Sequence, residues 1–516
     1  MKMKKLAFWI VAAILLLSLV GDFAKTMISQ NHNDHMYIGV SALIAHDKIP
    51  YKDFTFTQTP YLPLLYGNLY KLLGISSHYL LIGRLISFLF LAISAWTLFR
   101  LARRVTGNLF QPLCIGSLFL LNATIVNSAT EVSNYILPVA LSFLGFDLFV
   151  RSIDGGKIRA FRMALSGALL AIAIGTKLTY AAVVCPYIAA IFLCPLLNGS
   201  MEHSRRAGIV RAMVPFAMGV CIGLLPLLFY YLAAPDSFVY NNWGYHMVNA
   251  QWRQMTGYAM PMTHISKLAY AGRVLFGFDN LLVILGVLLG FALSLRGNKG
   301  AKQWSTGVVL AFLLLGAAVP TALAPTPSFP QYYAVPVSAL FLLLVYSSAQ
   351  YTVRSACWQS VALSILVLVA MAYRGPELLA ATSRLRYRDN WSGFHVHDVS
   401  MKIRDALLGG HFNVNGKVAT LSTMYAVEAN LPIYDELSSG PFFYRSGDLL
   451  TPEQRRRFVI TSPDTIRDLL AGDPPSAIIV GYEGQLDEPL LEYAQDHHYR
   501  EIQIDGLGGR CFLTGE

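Results

Sequence analysis

The sequence predicts a polytopic α-helical membrane protein with about eleven transmembrane helices, followed by a small C-terminal α/β domain. Three observations lead there. Of 516 residues, 55% are hydrophobic and only 14% are charged, with a mean hydropathy of +0.48. A soluble domain carries nearer about a quarter charged residues. Apolar runs of spanning length recur along most of the chain. Charge is also divided: residues 1–375 hold 27 Lys+Arg against 10 Asp+Glu, and residues 376–516 hold 13 against 20, so a basic part (+17) precedes an acidic part (−7). Positive cytoplasmic loops explain the basic part, and no nucleic-acid partner is expected. The boundary is placed at 375/376: a membrane domain over 1–375 and a separate soluble domain over 376–516.

The chain opens on Lys2, Lys4 and Lys5, then an apolar run from Leu6 to Val20. Gly21-Asp22-Phe23-Ala24 is a poor cleavage site, so this run reads as an uncleaved first span. Spans are expected at 6–22, 78–99, 112–130, 135–150, 162–176, 179–197, 212–234, 279–295, 305–324, 332–349 and 359–374, each near the about 20 residues a bilayer needs. Pro235 and Pro330 bound two of them. The basic stretches Arg100 to Arg104, Arg151 to Arg162, Arg205 to Arg211 and Arg296 to Lys302 fall on alternate loops, the side of the N-terminal lysines. That side is cytoplasmic. The opposite loops hold most of the acids (Asp34, Asp47, Asp53, Glu131, Asp236 and Asp279), and an odd number of spans puts the tail there too.

Between the first two spans, 54–77 is apolar but broken by Pro60, Pro63, Gly67 and Gly74. Its tyrosines (Tyr61, Tyr66, Tyr70) suit a helix lying along the outer membrane surface. The outer loop 235–278 is long and aromatic, with Trp243, His246, Trp252, Arg253, Tyr258, His264 and Arg273. Loops of that length are functional or disordered, and the aromatic content argues against disorder. In the tail, 418–421 and 477–480 read as buried strands. Residues 463–470, with Ser462 as cap and Pro463 at the first position, and residues 489–496 read as helices. No Gly-rich phosphate loop opens a helix there, so no nucleotide is assigned. The cysteines (Cys114, Cys185, Cys194, Cys221, Cys357, Cys511) show no CxxC spacing, which indicates neither a disulfide framework nor a zinc ribbon.

The most informative stretch follows the first span: His32-Asn33-Asp34-His35-Met36-Tyr37, then Ile49-Pro50-Tyr51-Lys52-Asp53-Phe54, then Thr57-Gln58-Thr59-Pro60. Acids are scarce before residue 376, so Asp22, Asp34, Asp47 and Asp53 in one short stretch call for a reason. Asp34 is the leading candidate for a general base, against its ordinary reading as a solvated residue or a helix cap. Asp53 could position the loop or a substrate hydroxyl, or simply make a turn. Glu131, at an outer span end, is a second acidic candidate, because membrane-edge acids are functional candidates by default. Lys177, in Gly175-Thr176-Lys177-Leu178-Thr179, could bind a lipid phosphate as a point charge or snorkel to the interface. Arg84, Arg253 and Arg273 face the same choice. Tyr332 and Tyr333, after Pro330-Gln331, are interfacial anchors or ligands of a phosphate or sugar. The spacing of His32, Asp34 and His35 is no known ligand signature, and these histidines, like His395 and His397, read as ordinary solvated residues; no metal site is assigned. Asn390-Trp391-Ser392 fits a glycosylation acceptor, a triplet common by chance.

These motifs together resemble a family. Asp34-x-x-Tyr37, Ile49-Pro50-Tyr51-x-Asp53-Phe54 and the Pro60 segment resemble the first outer loop of the GT-C glycosyltransferases, nearest the lipid A aminoarabinose transferases and protein O-mannosyltransferases. Thr130-Glu131 resembles the family's second acidic site, Gly175-Thr176-Lys177 its Leu-Thr-Lys loop, and Pro330-Gln331-Tyr332-Tyr333 with Pro336 its later Tyr-rich motif. The resemblance covers roughly 1–375. It implies an inverting glycosyltransferase of a bacterial inner membrane, working on the periplasmic side with a polyprenyl-phosphate sugar as donor and a glycan, lipid or protein acceptor. It implies Asp34, Glu131 and Asp53 as catalytic carboxylates. Tyr37, Tyr51, Gln58, Arg84, Lys177, Arg273, Tyr332 and Tyr333 would bind substrate. It requires no cofactor beyond the lipid-linked donor, though some relatives use a metal. Two departures stand out: Glu131 where Asp is common, and Gln58-Thr59-Pro60 where the aminoarabinose branch has Lys before the proline. A lipid-linked oligosaccharide polymerase or ligase is one alternative, led by arginines of the long loop. A transporter or flippase is another, but no internal repeat is visible and the acids sit at the outer edge.

Overall fold

The computed structural model describes residues 2–153, 158–197, 205–257, 262–297, 305–349, 353–409 and 416–514. Tyr258, and parts of the basic stretches 151–162 and 296–302, lie outside the described residues. The apolar runs fold as helices. Helix α1 (Lys2–Ile28) leads into two short helices of the first outer loop, α2 (Asn33–Ala45) and α3 (Tyr61–Leu72). Next come α4 (Tyr79–Thr106), α5 (Phe110–Leu120), α6 (Ala123–Asn127), α7 (Ile136–Ile153), α8 (Ala160–Thr176), α9 (Ala181–Leu197) and α10 (Arg205–Ala233). The long outer loop is itself helical where described: α11 (Pro235–Val239), a π-turn over Tyr240–Gly244, α12 (Tyr245–Met255) and α13 (His264–Leu275). Helices α14 (Phe278–Gly297), α15 (Thr306–Leu323), α16 (Ala334–Ser347) and α17 (Val353–Arg384) complete the bundle.

Among the described residues, seven helices are long and apolar enough to cross a membrane; α13 and α14, bent by 70° at their junction, make an eighth if taken as one broken span. Apolar helices at 110–120, 160–176 and 178–193 are shorter. The polytopic helical fold therefore stands; by length and composition alone, seven or eight of the expected eleven spans qualify among the described residues. The expected span over 112–130 breaks. Asn122 accepts from the Ile125 N–H at 3.1 Å and so caps a new helix, α6. Its own amide donates to Asn280 Oδ1 at 2.8 Å, and Asp279 Oδ2 accepts the Ala123 N–H at 3.0 Å. Beyond α6 the chain runs as turns and bends through 128–135. That irregular, buried stretch carries Glu131.

Helix α3 also departs from expectation. Tyr66 and Tyr70 are buried, and their hydroxyls donate inward, to Gly83 O at 3.3 Å and Tyr79 O at 3.0 Å. Burial satisfied by backbone carbonyls at the start of α4 outweighs an interfacial position for these rings.

Helices α8 and α10 pack backbone to backbone. A Cβ on Gly219 would lie 1.8 Å from the Ala164 carbonyl oxygen, and one on Gly167 2.2 Å from that of Phe216. Small residues allow this approach, a general device of membrane helices. Gly219→Ala is expected to force α8 and α10 apart and destabilise the protein by about 1–3 kcal/mol. Gly316→Ala, with nothing within 4 Å of its added Cβ, is expected to be neutral or slightly stabilising. Melting curves of the two variants in detergent check the pair, and equal curves would refute the close-packing argument.

The tail contributes α18 (Ser392–Gly409), β1 (Val418–Thr420), α19 (Thr423–Glu428), α20 (Pro441–Tyr444), α21 (Pro452–Phe458), α22 (Ile466–Gly472), β2 (Ala477–Val480), α23 (Glu488–Asp496), β3 (Arg500–Ile502) and β4 (Arg510–Leu513). The sheet runs β1-β2-β4-β3, with β1 and β2 parallel (Val418 opposite Ala477) and the other pairs antiparallel (Ile478 opposite Phe512, Glu501 opposite Phe512). The parallel pair needs a long crossover, and α19 to α22 supply it. Ile466 and Leu470 of α22 and Leu490 of α23 pack with Ile478 and Phe512; Ile479 and Leu513 join the larger core with α18. Helix α22 starts at Ile466, not at Pro463. The Ser462 N–H donates to Thr465 Oγ1 at 3.2 Å, so a hydroxyl turn occupies the place where the Ser462 cap was expected.

The tail lies on the first outer loop. Thr423 Oγ1 donates to the His35 carbonyl at 2.9 Å, Ser439 Oγ to the Thr55 carbonyl at 2.6 Å, and Lys48 pairs with Asp435. Arg457 pairs with Asp236 of the long loop.

Candidate active site

Four elements meet at Asp34. It stands in the first turn of α2, and Arg84 in the second turn of α4; each is 1% exposed. Asp34 Oδ2 accepts from Arg84 Nη2, and Oδ1 accepts the Val132 N–H at 2.7 Å. The guanidinium also donates to the Thr26 and Ser29 carbonyls at 3.4 and 3.2 Å, at the end of α1, where a cation suits the helix dipole. Burial pushes the Asp34 carboxyl above its ordinary range, and Arg84 and the Val132 N–H oppose that. Both carboxylate oxygens are engaged. The pair fixes where the 128–135 segment lies.

One residue before that anchor, Glu131 is also buried. Asn33 Nδ2 donates to its Oε2 at 3.2 Å. Burial, with the charge of Asp34 second, pushes its carboxyl up to about 7. Opposite is Lys177, where α8 ends and the chain turns through Leu178–Tyr180. Burial pushes its ammonium down to about 7, against the opposing pull of Glu131. Lys177 Nζ lies 3.7 Å from the Tyr135 ring centroid and 4.8 Å from that of Tyr332, a two-sided cation–π seat. Tyr37 hydrogen-bonds the Asn134 backbone and feels the charge of Glu131. The buried ammonium thus feels the charge of a buried acid, and burial pushes both groups toward neutrality.

Of the residues expected from sequence, Asp34, Tyr37, Arg84, Glu131, Lys177 and Tyr332 converge here. The others do different work. Asp53 Oδ2 accepts the Ile49 N–H at 2.7 Å and closes its own turn. Tyr51 donates to the Gln58 carbonyl, tying that loop shut, and packs its ring edge-on to Phe238. Tyr333 is buried with its hydroxyl 3.0 Å from Ser328 Oγ. Arg273 is exposed on α13 over the Tyr270 ring.

A small apolar pocket lies between α7, α9, α15 and α16. It is lined by residues that include Val139, Tyr180, Leu314, Ala318, Val335 and Ser338, around a cavity of about 30 Å³. Val139, Tyr180 and Val335 each stand one turn beyond a residue of the cation seat: Tyr135, Lys177 and Tyr332. Above, His35 packs against the Tyr425 and Tyr482 rings at 5.8 and 6.1 Å, and burial, with the charge of His32 second, pushes its imidazole down to about 3.

No family model matches the chain, and no curated protein matches it in sequence. Solved structures do match it in fold. ArnT from Cupriavidus metallidurans, bound to undecaprenyl phosphate, superposes with a TM-score of 0.63 at 14% identity, over 98% of this chain and 99% of that one. The chain shares the fold of ArnT. ArnT in its apo state gives 0.62 over the same shares. The Archaeoglobus fulgidus oligosaccharyltransferase tethered with an acceptor peptide gives 0.52 at 12% identity over 99% of this chain and 74% of that one.

Sequence reasoning passed over Asn33 and Tyr135. Each is a near neighbour of a named acid, and a polar or aromatic residue that close was the available signal. The Val132 N–H and the tail residues over His35 left no sequence signal.

Proposed function

We propose that the chain is a membrane glycosyltransferase of a bacterial inner membrane. It would move a sugar from a polyprenyl-phosphate donor to an acceptor on the periplasmic side. One observation carries the reading: the buried ammonium of Lys177 is seated between the Tyr135 and Tyr332 rings and feels the charge of the buried Glu131. The phosphate of a lipid-linked donor needs such a cation.

In this reading Lys177, seated between Tyr135 and Tyr332, holds the donor phosphate. An acceptor hydroxyl attacks the anomeric carbon. The bond from that carbon to the lipid phosphate breaks, and its electron pair leaves with the phosphate. The hydroxyl proton passes to Glu131, whose position near pH 7 suits a general base. Asp34 acts one step back. With Arg84 it pins Val132, and so aims Glu131. This gives Asp34 a positioning role rather than the base role that the resemblance implies, because both its oxygens are already taken. The lipid-linked sugar is the donor and no resident cofactor takes part. All eleven helical stretches cross the membrane in this reading, the three shorter apolar helices and the bent pair included. The 1–375 part carries the chemistry and the 376–516 part roofs it from the periplasm. Contacts of the tail with both long outer loops support one common side for all three.

Transfer from radiolabelled polyprenyl-phosphate sugars in membranes tests the reading. Wild type is expected to transfer label. Lys177→Met is expected to raise the KM for donor about 10- to 100-fold, the worth of one hydrogen bond to a charged group, and Lys177→Arg to recover part of it. Transfer unchanged in Lys177→Met would sink the phosphate assignment. No transfer by wild type across the common donor sugars would sink the proposed activity.

A further inference from the structure

Away from Glu131 and Lys177, a second cluster joins the tail to the start of α4. His78, the residue before α4, takes a left-handed backbone (φ 62°). His397 projects from α18, and the two imidazole rings stack with centroids 3.7 Å apart. Glu428 ends α19 and is fully buried. Its Oε2 accepts the Tyr79 N–H at 2.9 Å, the His78 N–H donates to Oε1, and His397 Nδ1 lies 3.0 Å from Oε1. One donor atom from each of the three side chains lies within 4.8 Å of the others.

We propose that His78, His397 and Glu428 bind a divalent cation of borderline softness, zinc by preference, which clasps the tail to the first turn of α4. Two imidazoles this close cannot both carry a proton without strong repulsion, so at least one offers a free lone pair. The carboxylate supplies the negative charge. Two nitrogens and one oxygen make a donor set that suits zinc, whose ligand distances of about 2.0–2.2 Å bring neighbouring donors to about 3.3 Å in a tetrahedron. Rotation of the two half-buried imidazoles closes the remaining gap. The nearest other charges, Arg388 and Asp398, pair with each other at 2.8 Å, so they neither repel nor compete for the cation. Water completes the tetrahedron on the half-exposed histidine side. The residues come from three elements, 350 positions apart at the extreme. The cation therefore acts as a cross-link: it holds α4, whose second turn carries Arg84, against α18 and α19. The proposal stands whether or not the chain transfers sugar.

The test uses the full chain in detergent, purified without a polyhistidine tag and stripped with a chelator. Cobalt(II) is titrated in, and its visible absorption is read. Zinc is then added to displace it, and bound metal is measured by mass spectrometry. The expected result is tetrahedral cobalt absorption at about one ion per chain, displaced by zinc. His78→Ala and His397→Ala should each weaken binding about 100-fold or more, beyond the 10- to 100-fold typical of outer-shell changes. Zinc should raise the melting temperature of wild type and leave that of the double variant unchanged. Should an alanine variant fold poorly, His397→Gln keeps a hydrogen-bonding group beside Glu428 without an imidazole, and it should show the same loss. No cobalt absorption in wild type, or undiminished binding in His78→Ala/His397→Ala, overturns the proposal.

Discussion

Glu131→Gln is expected to abolish the proposed sugar transfer and to raise the melting temperature at pH 7.5. The gain follows from the proton. In the folded chain the Glu131 carboxyl sits near 7, against 4.5 when free. Between those values the unfolded chain releases its proton and the folded chain keeps it. Stability therefore falls as pH climbs through that window, by about 1.4 kcal/mol per pH unit and about 3 kcal/mol in all. Glutamine has no such proton, so its advantage is full above pH 7 and fades near 4.5. Lys177 works in the opposite sense. Its ammonium is held near 7 against 10.5 when free, so stability recovers as pH rises from 7 toward 10.5. Melting curves of wild type and Glu131→Gln from pH 4.5 to 9 decide the matter; parallel profiles would show that Glu131 titrates normally. Transfer itself needs Glu131 ionised and Lys177 protonated. Its rate should trace a narrow bell near pH 7, whose acid limb belongs to Glu131.

The second large effect is at the Asp34–Arg84 pair. Removing either partner alone, as Asp34→Leu or Arg84→Leu, leaves a charge buried at 1% exposure and should cost about 3–5 kcal/mol of stability. Removing both should cost far less, because no lone charge remains. A double-mutant cycle in detergent measures the difference; additive costs would refute the pairing. Activity should not follow stability. The double variant regains its fold but loses the carboxylate that holds the Val132 N–H, so Glu131 is no longer aimed. Asp34→Asn separates positioning from base chemistry. Its residual transfer should keep the acid limb of the pH profile. If that limb vanishes with Asp34 and survives in Glu131→Gln, the two roles are reversed.

Most of the bundle was legible because hydropathy is local: an apolar run of spanning length becomes a helix whatever surrounds it. The motif order also pointed to Asp34, Glu131 and Lys177. What stayed hidden depended on distant partners. The break after Leu121 needs Asp279 and Asn280, more than 150 residues on. The burial of Asp34 stays hidden until Arg84, 50 residues away, meets it in the core. Asp53 and Tyr51 share a motif with Asp34 but serve the loop's own turns, which spacing alone does not separate from a substrate role. His397 looks like a surface histidine because nothing near it in sequence foretells His78 or Glu428.

The contact between Thr423 and His35 spans 388 positions. Chains are made and folded from the N-terminus onward, so α2 emerges long before the segment that covers it. Through most of translation its upper face, with Gly39 shaped to receive the Thr423 side chain, stands bare at the membrane surface. A ribosome that stalls ahead of residue 416 would leave an inserted bundle with an open, unroofed pocket.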